Sequence, residues 1–467
     1  MGKETKAVKP FGIKDKLGYM FGDFGNDFTF IFASMYVLVF YTKVMGISAG
    51  IVGTMFLVAR CIDAFTDISM GRIVDSAKTA KDGKFRCWIR RMCGPVAIAS
   101  FLMYQSGLRD CSMNVKIIYM FVTYILWGSV FYTSINIPYG SMASVISDNP
   151  KDRSSLSVFR SLGAGIASIM ISVIAPLVIY YQDANGNQVV DPGKMTLIAG
   201  IFSVCSIVCY LLCYFMTTER VKIEPKVVDK TANKMSIATT LKEIFSSRAM
   251  IGIILSALLM LLASLMTQGI NQYLFADYFK NTKALSIYSM LSLPAMILLA
   301  MCSTKLAIKF GKKECAAFGC AFSGIMYVIL YFMHIQNVWI FVVLAFIGML
   351  GMNFFSMQTY ALVTDVIDDK EVATGNRDDG TIYGVYSFAR KIGQAIAGGL
   401  SGWALTAIGY SELAAAQTEQ VKGGIYFLAT GFPGIVYVLC AVVLCVIYPL
   451  SKKKVDANVA ILNERRK

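Results

Sequence analysis

Apolar runs of twenty or more residues, each closed by a short polar interval, recur along nearly the whole chain. About 20 apolar residues cross the ~30 Å hydrocarbon core of a bilayer as a helix. Lipid offers no partner to open backbone, so such runs must be helices or a closed barrel. Barrel strands would be about half as long and would alternate in polarity, so the pattern predicts helices. About twelve spans follow: 17–42, 48–74, 88–107, 115–146, 155–181 and 194–216, then 249–279, 285–309, 314–335, 338–367, 380–409 and 424–450. The one long polar interval lies between the sixth and seventh, and it contains an amphipathic stretch at 237–245. The expected organisation is an all-α polytopic membrane protein: a six-helix bundle in 1–216, a cytoplasmic linker at 217–248, and a second bundle with a basic tail in 249–467.

Composition agrees, since 56% of the 467 residues are hydrophobic and only 16% are charged, against about 25% charged in a soluble domain. The formal charge of +15 would suit nucleic acid, but its placement excludes that partner. Lysine and arginine gather before Leu17, in 72–91, 220–248, 305–313 and 452–467, whereas the loops at 183–193 and 411–423 carry almost none. Alternation of this kind is the positive-inside signature and sets both termini in the cytoplasm. The first apolar run is too long for a signal-peptide core and holds Asp23 and Asp27, so it reads as a mature span. Twelve cysteines lie mostly within apolar spans with no CxxC. Cys205, Cys209 and Cys213 share a helix face, but a zinc site needs a fourth ligand, and core packing is the better reading.

Polar residues inside the spans carry the chemistry. Asp63 and Asp67, one helical turn apart within the second span, share a helix face with Arg60. Each charge at a membrane centre costs about 2.5 to 3.5 kcal/mol on insertion scales, so the pair points to a shared cation. The bland alternative is an internal ion pair of Arg60 with one aspartate, which leaves the other carboxylate without a partner.

The halves echo one another. Gly71-Arg72 through Gly83-Lys84-Phe85-Arg86 follows the second span, and Phe310-Gly311-Lys312-Lys313 follows the eighth. The stretch from Ala143 through Asp148 to Arg160 likewise parallels Leu362 through Asp365 and Asp368 to Arg390-Lys391. Parallel repeats with a site between them near the midplane mark the major facilitator architecture. The motifs Phe24-Gly-Asn-Asp27-Phe28, Asp63-Ala-Phe-Thr-Asp67, Gly83-Lys-Phe-Arg-Cys-Trp88, Asn136-Ile-Pro-Tyr-Gly140 and Arg390-Lys-Ile-Gly-Gln-Ala395 occur in order across the chain. Together they resemble the glycoside-pentoside-hexuronide:cation symporter family.

That resemblance implies a secondary active symporter, not an enzyme, taking up a sugar or glycoside with a cation by alternating access in the bacterial cytoplasmic membrane. It implies no cofactor beyond a coupling ion, Na⁺ or H⁺, and a functional monomer. By the family's pattern, Asp63, Asp67, Thr133 and Asn136 surround the cation, with Asp63 and Asp67 its ligands if it is sodium. Asn136 stands where melibiose permease has an acid, which makes proton coupling an equal alternative, since two close carboxylates repel and one binds a proton more readily. Asp27, Tyr132, Arg160 and Lys391 match positions lining the sugar site or linking it to the cation, and carboxylate and guanidinium groups suit vicinal hydroxyls. Snorkelling to the interface is the plainer reading of Arg160 and Lys391. Gly140 and Asn26 depart from melibiose permease, so sugar specificity does not carry over. Asp27 slightly favours a neutral cargo over a hexuronide, and a lysolipid, as in distant animal relatives of the family, is the remaining alternative. Gln268, Asn271 and Gln272 in the seventh span and Gln358 in the tenth are further candidates for sugar hydroxyls. Asp365, Asp368, Asp369, Glu371 and Arg377, facing basic loops that contain Asp75 and Arg86, are expected to form an inner gate. No HExxH, P-loop or soluble domain supports an enzyme.

Overall fold

The computed structural model describes residues 10–221, 247–375, 379–412, 414 and 416–465. Among them, twelve long helices fill the twelve expected intervals. They are α1 (Ile13–Val44), α2 (Ala49–Ser76), α3 (Arg86–Leu102), α4 (Met113–Ile146), α5 (Pro150–Ile179), α6 (Pro192–Met216), α7 (Arg248–Tyr278), α8 (Thr282–Met290 and Ser292–Phe310), α9 (Lys312–Met333), α10 (Val338–Thr374), α11 (Asp379–Ala407) and α12 (Glu419–Val446). A shorter α13 (Lys452–Arg465) follows. Ten of the twelve are long and apolar enough to span a bilayer by length and composition. The exceptions are α3, which has only 17 residues and carries Arg86, Arg90 and Arg91, and α11, which carries Arg390 and Lys391 in a glycine-rich sequence. Large apolar side chains such as Ile98, Ile118, Leu197, Phe318 and Phe332 are exposed on these helices. Water would penalise that arrangement and hydrocarbon would not, so the chain is a multi-pass membrane protein.

Local signals set several boundaries. Asn149 and Asp191 cap α5 and α6 by accepting from the backbone N–H of Lys151 and Lys194, and each is followed by a proline at the first helical position, where its missing N–H costs nothing. The fifth span stops at Ile179, earlier than its apolar run predicts. Tyr180 turns extended and opens a small hairpin, β1 (Tyr180–Gln182) and β2 (Gln188–Val190). Asp183 closes the turn by accepting from the backbone of Asn185 and Asn187 at 2.9 and 2.7 Å.

The chain divides into two compact units. The first comprises residues up to 48, 58–181 and 189–232, and the second comprises 49–57, 182–188 and 233 onward. In the first, α1 packs on α5 and α6, and α3 on α4 and α6. In the second, α7 packs on α11 and α12, and α9 on α10 and α12. The second set of pairings is the first displaced by six helices. In the first unit, Gly22 and Gly25 on α1 make room for the rings of Tyr139 and Tyr210, which a Cβ at either position would strike.

The polar end of the first unit is closed by the segment after α6. Glu219 accepts from the backbone N–H groups of Lys84, Phe85 and Arg86 at 2.6, 2.9 and 2.7 Å, which caps α3. Arg220 holds Asp15 at the start of α1 at 2.8 Å and the Ile146 carbonyl at the end of α4 at 3.1 Å. Desolvation works to raise the Asp82 carboxyl, but hydrogen bonds from Arg90 and Tyr214 outweigh it and hold that group below its usual range. Glu219→Ala leaves three donors without their acceptor. It is expected to destabilise the protein by about 2 kcal/mol after partial replacement by water, read as a lowered thermal midpoint in detergent. An unchanged midpoint would show the cap to be dispensable.

Candidate functional site

The membrane-embedded charges of the first unit fall into two groups. In one, α2 and α4 face each other. Arg60 Nη1 donates to Asp63 Oδ2 at 3.1 Å, Ser129 Oγ donates to Asp63 Oδ1 at 2.5 Å, and Thr133 Oγ1 donates to Asp67 Oδ1 at 3.0 Å. The two hydroxyls are one helical turn apart, as are the two carboxylates, so each acid meets its own hydroxyl. The α4 backbone is wound as a π-helix from Leu126 to Tyr132, a rare widening that is found mostly at functional sites. Arg60 also lies over the Phe30 ring of α1, 5.6 Å from its centroid.

The second group joins α1, α4, α5 and α6. Arg160 Nε donates to Asp23 Oδ1 at 2.9 Å; the aspartate side chain is 9% exposed and the arginine 41%. The guanidinium sits over the Tyr139 ring at 5.3 Å, and Tyr139 in turn stacks on Tyr19 at 4.7 Å and donates to the Tyr19 carbonyl. Tyr210 Oη donates to Asn26 Oδ1 at 2.7 Å, while Asn26 Nδ2 reaches Asn136 Oδ1 at 3.4 Å. Asp27 is half-buried, and among the described residues its carboxylate has no hydrogen-bond partner. Tyr132 stacks on Phe30 at 5.4 Å.

Of the expected cation residues, Asp63, Asp67 and Thr133 are therefore brought together, while Asn136 is bonded toward Asn26. Arg60 pairs with Asp63, the alternative weighed from the sequence, and Asp67 keeps a separate contact. Ser129 and Asp23 were not singled out from the sequence. The signal for both was periodicity, because Ser129 precedes Thr133 and Asp23 precedes Asp27 by one turn on the same face.

In the second unit, Asn271, Gln272 and Gln358 are buried, Gln268 is half-buried and Lys391 is exposed. Among the described residues Gln272 Oε1 is buried with no partner. A cavity of about 110 Å³ opens between α7, α10 and α11, lined by Met260, Phe355, Ser356, Thr359, Tyr386 and Arg390. Three of the residues expected at an inner gate, Arg86, Asp365 and Asp369, have contacts within their own units. Arg86 Nη2 and Nε donate to the Tyr214 carbonyl at 2.5 and 3.1 Å, and Lys312 Nζ donates to Asp365 at 2.6 Å. Lys454 pairs with Asp369 at 3.2 Å. Asp368 and Glu371 lie half-buried near the end of α10. Arg377, the Asp75 side chain and the stretch 237–245 fall outside the described residues. Among those residues no three histidine, cysteine or acidic side chains group as metal ligands.

Residues 18–452 match the family model described as MFS/sugar transport protein. A protein of Escherichia coli (strain K12) provisionally named a glycoside/cation symporter is 31% identical over 448 residues, 95% of this chain and 94% of its own length. A glucuronide carrier protein homolog of the same organism is 27% identical over 456 residues, 97% of this chain and 95% of its own. In fold, the chain is similar to the crystal structure of a D-xylose-proton symporter, with a TM-score of 0.62 at 13% identity, covering 94% of this chain and 98% of that one.

Proposed function

The chain belongs to the family of MFS/sugar transport proteins, and from that premise we propose that it is a secondary active symporter that couples inward movement of one monovalent cation to uptake of a sugar or glycoside. The observation that carries this reading is the pairing of Asp63 and Asp67 with Ser129 and Thr133. The two carboxylates stand one helical turn apart on α2, and a single Na⁺ or H⁺ that they share lowers the cost of holding two acids inside a membrane. The oxygen-only set of two carboxylates and two hydroxyls suits a hard cation, and the proximity of two carboxylates equally suits a proton. The relatives provisionally named or named for glycosides and glucuronides support the cargo class, and the polar residues Asp27, Tyr132 and Arg160 in the first unit and Gln268, Gln272, Gln358 and Lys391 in the second support a cargo with many hydroxyls.

In this reading the chain sits in the bacterial cytoplasmic membrane with both termini inside, acts as a monomer, and works by alternating access of two six-helix halves, 1–216 and 249–467. Acids at the end of α10, with Asp75, Arg86 and Arg377, are its inner gate. A hexuronide is the alternative cargo.

Uptake into proteoliposomes of a panel of labelled neutral glycosides, pentosides and glucuronides, under an imposed Na⁺ or H⁺ gradient in turn, tests the reading. Accumulation of at least one sugar, driven by one of the two gradients, is expected. Failure of every sugar under both gradients would overturn it.

A further inference from the structure

At the polar end of the second unit, the lysines at the end of α8 and the start of α13 form one cluster. Lys305 and Lys309 lie one helical turn apart at the end of α8, on the same face. Lys452 Nζ donates to the Lys309 carbonyl at 2.9 Å, which fixes the start of α13 against the end of α8, and Lys453 follows it in the same first turn. All four are exposed, and none has an acidic partner among the described residues. The acid near them, Glu314, accepts from the backbone N–H of Lys452 at 3.1 Å. The placement is held from below, because Lys313 Nζ donates to the Tyr448 carbonyl at 2.6 Å and Tyr448 and Leu450 are buried in the connection between α12 and α13.

Two further features set the cluster at a lipid boundary. Ile308 and Phe310, interleaved with Lys309, are 72% and 53% exposed, so the end of α8 presents apolar side chains to hydrocarbon beside its cations. The helix α13 also crosses the end of α10. Its Lys454 meets Asp369 and its Arg465 meets the Glu371 and Val372 carbonyls. Over those contacts α13 advances by about 16 Å and α10 by about 4 Å, at ~1.5 Å per residue. A helix that crosses a membrane span so steeply runs near the plane of the bilayer surface. Three lysines in its first turn, with no acid there, oppose the positive end of its own dipole, an arrangement that an added anion relieves.

We propose that Lys305, Lys309, Lys452 and Lys453 form a headgroup site for an anionic phospholipid of the cytoplasmic leaflet, with its acyl chains lying along Ile308 and Phe310. The unpaired cations supply charge complementarity to a phosphodiester, and basic pockets between spans on the cytoplasmic side bind anionic headgroups in this way. The exposed apolar residues beside them favour a lipid over a free phosphate.

The test is native mass spectrometry of the full chain in micelles holding equal phosphatidylglycerol and phosphatidylcholine. The wild type is expected to retain phosphatidylglycerol preferentially, and K305Q/K309Q/K453Q to lose at least fivefold of that retention with its thermal midpoint unchanged. Lys453→Gln alone removes an exposed side chain with no contact to lose, and it is expected to show a partial loss even if the triple variant folds poorly. Equal retention of both lipids by the wild type, or undiminished phosphatidylglycerol on both variants, would overturn the site. Displacement of the lipid by millimolar glycerol phosphate would overturn the lipid assignment in favour of a free-phosphate site.

Discussion

Replacing Asp67 with alanine is expected to abolish gradient-driven accumulation of the cargo while leaving exchange of labelled for unlabelled sugar across the membrane. Asp67 supplies the second carboxylate of the cluster of α2 and α4, the one that meets Thr133 at 3.0 Å. Without it an arriving cation meets a single carboxylate already held by Arg60, and the attraction that captures it is lost. Asp63→Ala is expected to abolish accumulation as well, but with a second cost. It strips Arg60 of its partner at 3.1 Å, and breaking a buried pair by removing one member costs about 3 to 5 kcal/mol, less here because both side chains are partly exposed. Asp63→Ala should therefore lower the thermal midpoint. The double replacement of Arg60 by Gln and Asp63 by Asn should recover stability without recovering accumulation. That combination separates an ion pair that merely holds α2 in place from a site that takes a cation. Full accumulation by Asp67→Ala would remove the cation assignment.

The sequence made the helices legible because lipid imposes a single rule on every span, and the twelve predicted runs needed only end corrections. The hairpin after α5 escaped because Tyr180 and Tyr181 are as apolar as the helix before them, and the turn chemistry of Asp183 decides where it stops. The helix α13 escaped because its charge reads as a solvated tail, while its buried stripe of Asn458 and Leu462 is fixed by long-range contacts to α10. In the site, the i, i+4 spacing of Asp63 and Asp67 was visible, but spacing within one helix does not say which residues of another helix face it. Ser129 is a case in point, since its place one turn before Thr133 is periodic but only the packing of α4 against α2 sets it opposite Asp63. Arg86 illustrates the same limit from the other side, because its charge suggests a gate while the carbonyl it meets, that of Tyr214, is set by where α6 ends.

Arg160 is expected to depend on Asp23 for its place. It lies ten residues into α5, about 15 Å from the start of the helix at ~1.5 Å per residue, roughly half the thickness of the ~30 Å hydrocarbon core. A guanidinium at that depth costs about 2.5 to 3.5 kcal/mol unless it is paired or reaches water. Asp23 supplies the pairing through Nε at 2.9 Å, and the Tyr139 ring beneath it at 5.3 Å keeps the guanidinium plane oriented. Held in this way, the guanidinium stands close enough to Asp27 to act on its carboxylate, so that the two could meet one cargo. Asp23→Ala frees the side chain to snorkel toward the nearer headgroups, and is expected to raise the apparent KM for the transported sugar at least tenfold with the gradient preference unchanged. Asp23→Asn keeps an acceptor and should fall between. If Asp23 acts through Arg160, the Arg160→Ala and Asp23→Ala effects do not add, so the double variant should match Arg160→Ala alone within about twofold, as groups in one network are coupled. Multiplicative effects in the double variant, or an apparent KM within twofold of wild type in Asp23→Ala, would show that the aspartate supports the bundle rather than the arginine.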